Sequence, residues 1–159
     1  MSADRSGDRD ALPIVDMSAA LDRLVDAYVA LRSASVAQLG TCYAPDARFR
    51  DPFNDVTGVP AIERVFAHMF SQVDSPRFAV SARFLSGDQA MLLWTLHFRS
   101  ARLGPGEHAI RGASHLRFDG AGRVVWHEDH WDPAAQLYDK LPLVGALLRW
   151  LAQRFAAGG

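Results

Sequence analysis

The sequence has one cysteine, no long apolar run and almost no net charge. Because Cys42 stands alone, an internal disulfide is impossible, and no Cys/His cluster has the spacing of a structural zinc site. No segment approaches the roughly 20 apolar residues of a membrane-spanning helix, and residues 1–10 contain no apolar core of a signal peptide. These absences predict a cytoplasmic protein with no membrane partner and no bound metal.

The charge balance argues against a nucleic-acid partner. Seventeen Lys and Arg face eighteen Asp and Glu, so the formal net charge is -1 and the basic footprint of a nucleic-acid binder is missing. A hydrophobic content of 49% and a charged content of 22% are typical of a globular chain. With 159 residues, we expect a polar, disordered tail over residues 1–13 and a single domain over residues 14–159.

Apolar residues recur at helical spacing in three segments. The first runs from Met17 to about residue 32, with Ser18 as the expected N-cap, and the second follows Pro60. The third is a helical extension over residues 133–157, which has three interpretations: a lid over a pocket, a dimer contact or a helix on a membrane surface. Its few cations favour the first two.

From Pro76 the apolar period changes to two. Runs over residues 77–85, 89–100, 107–118 and 123–131 are separated by glycine-containing turns, and a short run over residues 47–51 precedes them. Helices followed by an antiparallel meander indicate an α+β domain whose sheet curves around the N-terminal helices.

The last hairpin determines which polar side chains face the helices. If Asp119 pairs with Arg123 across the turn, Ser114 faces Glu128, and side-chain alternation puts His130 on the same inner face. Because burying unpaired polar groups is costly, their presence predicts a cavity. The residues expected to line its wall are Trp94, Leu96, Phe98, Leu116 and Trp126.

The string His127-Glu128-Asp129-His130 does not predict a metal site. Strand alternation sends His127 and His130 to opposite faces, so they cannot hold one ion. In this register His127 and Asp129 lie on the outer face beside His115, which leaves a metal site on that face as a minor alternative.

Four segments resemble the NTF2-like superfamily, which includes ketosteroid isomerases and SnoaL-like polyketide cyclases. They are residues 27–31 (AYVAL), 43–52 (YAPDARFRDP), 58–69 (GVPAIERVFAHM) and 114–125 (SHLRFDGAGRVV). The resemblance covers residues 21–132 and implies a cone-shaped α+β fold. It also implies a homodimer formed through the outer face of the sheet.

The resemblance also implies site residues. Asp51 takes the position of the isomerase's general base, and Tyr28 that of its oxyanion-stabilising tyrosine. Ser114 stands where the isomerase has a neutral carboxylic acid, and a hydroxyl is a weaker acid. His130 and Glu128 are the candidates to replace that donor.

These residues predict a cofactor-free isomerase, cyclase or dehydratase acting on a small apolar carbonyl compound. Phe53 and Phe66 are added to the predicted binding wall. The first alternative is a non-catalytic ligand-binding or dimerisation module, in which Asp51 merely ends a strand and Tyr28 is a core residue. The second is epoxide hydrolysis by an Asp-Arg-Asp set that activates water.

Overall fold

The computed structural model describes residues 15–141, 145–147, 149–150 and 153. The predicted tail over residues 1–13 therefore lies outside the described residues. The helices are α1 (Met17–Val29), α2 (Val59–Gln72) and α3 (Pro133–Gln136), with 3-10 segments at Ser33–Cys42, Ala101–Leu103 and Tyr138–Lys140. The strands are β1 (Tyr43–Arg50), β2 (Asp55–Thr57), β3 (Asp74–Ser86), β4 (Gln89–Arg99), β5 (His108–Phe118) and β6 (Val124–His130).

The two long helices start as their sequences dictate, with one correction. The N-cap of α1 is Asp16 rather than Ser18, because the Asp16 carboxylate accepts hydrogen bonds from the backbone N–H groups of Ser18 and Ala19. The chain enters α2 through Gly58, whose φ of 91° suits glycine, and Pro60 lies in the first turn.

The sheet has six strands in the order β2-β1-β6-β5-β4-β3, and one face of it is covered by α1 and α2. All neighbouring strands are antiparallel except β1 and β6, which run parallel. The predicted antiparallel meander comprises β3 to β6, and β1 joins β6 in parallel because the long stretch of chain between them allows that approach. The predicted α+β class is confirmed.

A one-residue bulge interrupts the hairpin of β5 and β6. Phe118 pairs with Val124, but Arg117 pairs with Trp126, so Val125 is an extra residue. A shift of one residue moves every following side chain to the opposite face of a sheet.

The predicted register is therefore wrong beyond the bulge. Ser114 pairs with Asp129 and not with Glu128. His127, 1% exposed, and Asp129 face the helices, whereas the side chain of His130 is 57% exposed on the outer face with Glu128 beside it. The assignment of inner and outer residues in this strand is inverted.

The outer face of the sheet exposes large apolar side chains. Phe84 pairs with Met91, and Leu93 lies two residues further along the same face, with exposures of 58%, 36% and 41%. His115 pairs with Glu128 on this face as well. Phe84, Met91 and Leu93 thus form an exposed apolar surface on two adjacent strands.

The segment after β6 begins as predicted. Asp132 caps α3 by accepting from the backbone N–H groups of Ala134 and Ala135, and Gln136 hydrogen-bonds the main chain of Arg111. Beyond residue 141, most of the predicted helical extension over residues 133–157 lies outside the described residues. Among the residues that are described, no helix is long and apolar enough to cross a membrane.

Candidate functional site

A cavity of about 430 Å³ lies between α2 and the inner face of the sheet, a size that suits a small organic ligand. It is largely walled by aromatic rings: Phe49, Phe53, Phe66, Phe78, Trp94, Phe98, Trp131 and Tyr138. Its polar lining residues are Asp51, Asn54, His68, Gln72, Ser100, Arg102 and Asp129. The residues after α3 close one side, through Leu137, Tyr138 and Leu141.

Asp129 joins the cavity to a buried chain of hydrogen bonds. Its Oδ1 lies 2.5 Å from Oγ of Ser114 and 2.7 Å from Nε2 of His127. Its other oxygen, Oδ2, accepts no hydrogen bond from the part of the chain that the structure describes. One carboxylate oxygen is thus anchored by two hydrogen bonds, in a residue that lines the cavity.

Two buried tyrosines hold the other side of the histidine ring. Nδ1 of His127 lies 2.7 Å from the hydroxyl of Tyr43, and that hydroxyl lies 2.5 Å from the hydroxyl of Tyr28. The Tyr43 and His127 rings are nearly parallel, with an angle of 9° between their planes and centroids 6.1 Å apart. These three groups come from α1, β1 and β6, so only the folded chain brings them together.

One arrangement of protons satisfies all of these hydrogen bonds. If Nε2 of His127 carries the proton, it donates to Asp129, and Nδ1 accepts from Tyr43. Tyr28 then donates to the Tyr43 oxygen, and Ser114 donates to Asp129. In this arrangement every donor of the hydrogen-bond network has an acceptor, with His127 neutral and Asp129 ionised.

Trp94 extends the network from Ser114 on β5 to the neighbouring strand β4. Its indole Nε1–H donates to Oγ of Ser114 over 2.8 Å. Ser114 consequently accepts from Trp94 and donates to Asp129, which leaves its hydroxyl committed to positioning the carboxylate.

Burial changes the acidity of both tyrosines in the network. Desolvation raises the pKa of Tyr28 well above 10.0, and the nearby Tyr43 and Asp129 raise it further. Desolvation likewise raises the pKa of Tyr43. Both phenols are therefore neutral hydrogen-bond donors throughout the physiological pH range.

Asp51 lies in the cavity lining, and its carboxylate accepts hydrogen bonds from the turn that follows it. Oδ1 accepts from the backbone N–H groups of Phe53 and Asn54 at 2.7 and 2.6 Å, and the Asn54 amide contacts both carboxylate oxygens at 3.0 Å. This is the Asx-type geometry that shapes the residue 51–54 loop. Four hydrogen bonds restrict Asp51 as a proton acceptor.

The structure does not bring the other predicted catalytic residues together with Asp51. Tyr28 lines a separate void of about 10 Å³, while Glu128 and His130 are on the outer face with their closest charged atoms 4.0 Å apart. Glu128 also lies 3.5 Å from Arg50 in an ion pair on that face. Only Ser114 joins the network around Asp129 as a direct partner.

The predicted wall residues divide into two groups. Trp94, Phe98, Phe53 and Phe66 lie in the cavity lining. Three others do not: Leu116 is fully buried in the core, Leu96 packs against that core, and Trp126 is on the outer face. Trp126 lies under the guanidinium of Arg48, at 5.3 Å, because the bulge turns it outward.

Sequence reasoning missed Tyr43, His127 and Asp129 as site residues. The signal for the last two was the run Val124-Val125-Trp126, three apolar residues that break strand alternation and are compatible with a bulge. For Tyr43 there was no local signal, because its role depends on a histidine 84 positions away.

Within the described ranges, no group of His, Cys, Asp or Glu is arranged to hold a metal ion. His127 in particular has both ring nitrogens in hydrogen bonds.

Solved structures share this fold. They confirm the predicted NTF2-like architecture. A hypothetical protein with a ketosteroid isomerase-like fold from Catenulispora acidiphila, in complex with trimethylamine, is 21% identical with a TM-score of 0.65, and the match covers 75% of this chain and 93% of that one. A candidate SnoaL-like polyketide cyclase from Shewanella putrefaciens is 19% identical with a TM-score of 0.62, covering 80% and 86%. TerC, co-crystallised with polyporic acid, is 17% identical with a TM-score of 0.63, covering 73% and 93%.

No match to the chain is found among curated proteins. The SnoaL-like domain matches residues 22–127, which include most of α1, all of α2, strands β1 to β5 and β6 up to His127. Asp129 lies two residues beyond the match. The chain therefore belongs to the SnoaL-like domain family.

Proposed function

We propose that this protein is a cofactor-free acid–base enzyme in which Asp129 removes a proton from a carbon next to a carbonyl group. The observation that carries the proposal is the anchored carboxylate of a residue that lines the aromatic cavity: Ser114 and His127 hold Oδ1, and none of the described residues donates to Oδ2. A base positioned in this way contributes about 10²- to 10⁴-fold to proton transfer.

His127 is assigned a positioning role. Both of its nitrogens are hydrogen-bonded, and it lines the small void rather than the large cavity. By donating to Asp129, it fixes the carboxylate orientation. The negative charge that develops on the substrate oxygen is then stabilised by hydrogen-bond donors in the cavity lining. The candidates are His68, Gln72, Ser100 and Arg102.

The cavity favours a small, flat, aromatic or alicyclic substrate, since its rings offer stacking surfaces and little polar area. This agrees with the polyporic acid bound by TerC and with the polyketide cyclase designation of the Shewanella protein. The proposed reaction class is isomerisation, cyclisation or dehydration through an enolate.

The test uses 2-tetralone, an aromatic ketone with exchangeable protons beside its carbonyl. Proton NMR in D₂O measures the enzyme-dependent rate of deuterium exchange. We expect catalysed exchange by the native protein and a loss of about 10²-fold or more in Asp129→Asn. Loss of exchange in Asp51→Asn together with retention in Asp129→Asn would instead identify Asp51 as the base.

A non-catalytic binding module is the second candidate, favoured by the complete hydrogen bonding of the buried network. It predicts that 2-naphthol, which has the shape of the enol of 2-tetralone, binds without any exchange being catalysed. Epoxide hydrolysis has one observation in its favour, since Asp51, Arg102 and Asp129 all line the cavity. However, among the described residues Arg102 makes no hydrogen bond to either carboxylate.

We also propose that two copies associate through the outer face of the sheet, around Phe84, Met91 and Leu93. The support is the exposed apolar surface of these three residues on adjacent strands.

A further inference from the structure

Arg102 differs from the other charged groups in the cavity lining. Its guanidinium has five N–H donors, and none of them has a hydrogen-bond or ion-pair partner within the described part of the chain. The two carboxylates of the cavity lining both have partners within the protein: Asp51 accepts four hydrogen bonds, and Asp129 accepts two at Oδ1. Arg102, an exposed residue at the edge of the cavity, is therefore the charged side chain of the lining to which the described residues supply no partner.

The backbone on either side of Arg102 is anchored. The 3-10 segment Ala101–Leu103 follows Ser100, which is 9% exposed, and the Leu103 N–H donates to the Ser100 carbonyl at 3.1 Å. Leu103 itself packs against the core and lines the cavity. Arg102 is thus carried by a fixed turn rather than by a long free loop.

Two further polar side chains lie in the same lining. His68 and Gln72 are four residues apart on α2, which places them on one face of the helix. Both offer hydrogen-bond donors, and neither contributes a negative charge. Together with Arg102 they form a donor group contributed by α2 and the 3-10 segment.

We infer that the ligand of this cavity is an aromatic compound bearing an acidic oxygen group, a carboxylate or an acidic enol, which binds Arg102. The inference rests on the proposed function in taking the cavity as the substrate site, and it adds the substrate's charge. The aromatic body lies among the rings of the wall, and the anionic oxygens accept two parallel hydrogen bonds from the guanidinium.

The test compares three probes of nearly identical shape and different charge: 2-naphthoate, 2-naphthamide and 2-naphthamidine. Isothermal titration calorimetry on the full chain measures their dissociation constants. We expect naphthoate to bind about fivefold more tightly than naphthamide, since an ion pair at a partly exposed guanidinium is worth about that much. Naphthamidine is expected to bind most weakly.

The variant Arg102→Gln should bring the dissociation constant of naphthoate to that of naphthamide and leave naphthamide binding unchanged. The matched control is Arg99→Gln, which removes the same charge from a nearby exposed residue outside the cavity lining and should preserve the preference. Equal binding of all three probes, tightest binding of naphthamidine, or an undiminished preference for naphthoate in Arg102→Gln would each overturn the inference.

The two proposals fail separately. If native protein catalyses 2-tetralone exchange but shows no Arg102-dependent preference for naphthoate, the substrate-charge inference is wrong and the proposed function stands. If the preference is present without any exchange, the cavity binds acidic aromatic ligands and the assignment of Asp129 as a base is wrong.

Discussion

At the scale of single residues, the hydrogen-bond partners of His127 predict which of its ring nitrogens carries the proton. Because the Tyr43 hydroxyl lies at Nδ1 and Asp129 lies at Nε2, the ring is expected to be neutral with its proton on Nε2. A carboxylate near an imidazole can otherwise hold it in the charged form. The Tyr43 hydroxyl thus determines the tautomer and, through it, the donor that positions Asp129.

The tautomer can be measured directly. Nitrogen-15 NMR of labelled native protein at neutral pH should assign His127 as protonated on Nε2 and unprotonated on Nδ1. In Tyr43→Phe, Nδ1 loses its hydrogen-bond donor and we expect its nitrogen-15 resonance to shift, while Tyr138→Phe should leave it unchanged. A His127 resonance protonated on both nitrogens in native protein would contradict the proposed proton arrangement.

Alkaline pH provides a second prediction for the same residues. Because burial raises the pKa of Tyr28 and Tyr43 in the folded state, the unfolded chain releases these protons first, at about pH 10. Stability is therefore unaffected by these groups below that pH and falls above it, by about 1.4 kcal/mol per pH unit for each phenol.

A Tyr138→Phe variant isolates this effect, since the chain has three tyrosines. Ultraviolet absorbance of tyrosinate should stay absent at pH 10.5 while circular dichroism reports a folded protein, and should appear together with unfolding. Tyrosinate absorbance in the folded variant at that pH would show that the two phenols are not buried as described.

At the scale of elements, close packing between β4 and β5 positions the network. A Cβ placed on Gly112 would lie 2.4 Å from Cζ2 of Trp94, so the indole occupies the space that any larger residue needs. This contact keeps Trp94 in place to donate to Ser114. Glycine at position 112 is required by this close approach rather than by its backbone conformation.

The substitution Gly112→Ala tests this contact. Because the Trp94 ring is rigid and buried, we expect it to shift and the protein to lose about 1–3 kcal/mol of unfolding free energy in urea titrations. Gly120→Ala is the matched control, since nothing lies within 4 Å of its added Cβ and the loss should be small. Equal stabilities of the two variants would argue against the described packing.

Elements also show how far the sequence could lead. The helices, the strands and the hairpin turns follow from apolar periods and turn residues, all of which are local. The register of β6 was mispredicted because one extra residue, Val125, changes the face of everything after it, and strand alternation alone does not reveal where a bulge lies. The resemblance led to Asp51 and Tyr28, but neither periodicity nor motif spacing could pair Tyr43 with His127.

At the scale of the whole molecule, the two faces of the sheet differ in what they expose. The inner face, with the helices, encloses the cavity and the network, and the outer face exposes Phe84, Met91 and Leu93. The enclosed cavity and the exposed apolar surface both depend on the alternation of side chains along the strands of the sheet. A polar inner network and an apolar outer surface are consistent with a catalytic or binding interior and an association surface.

Association can be tested by light scattering after size-exclusion chromatography. Native protein should elute with twice the 17.5 kDa mass of one chain, and Leu93→Glu should elute as a monomer because it places a charge within the apolar surface. Val29→Glu, the same kind of change at an exposed residue of α1, should leave the dimer intact. A monomeric native protein would exclude the proposed association.

The central claim is that Asp129, rather than its neighbour on the same strand, acts in the cavity. Glu128 and Asp129 are adjacent carboxylates that face opposite sides of the sheet, so they form a matched pair for substitution. The decisive measurement is the rate of 2-tetralone deuterium exchange by Glu128→Gln and Asp129→Asn, each shown to be folded by circular dichroism. The account predicts a near-native rate for Glu128→Gln and a loss of about 10²-fold or more for Asp129→Asn, and the reverse order would contradict it.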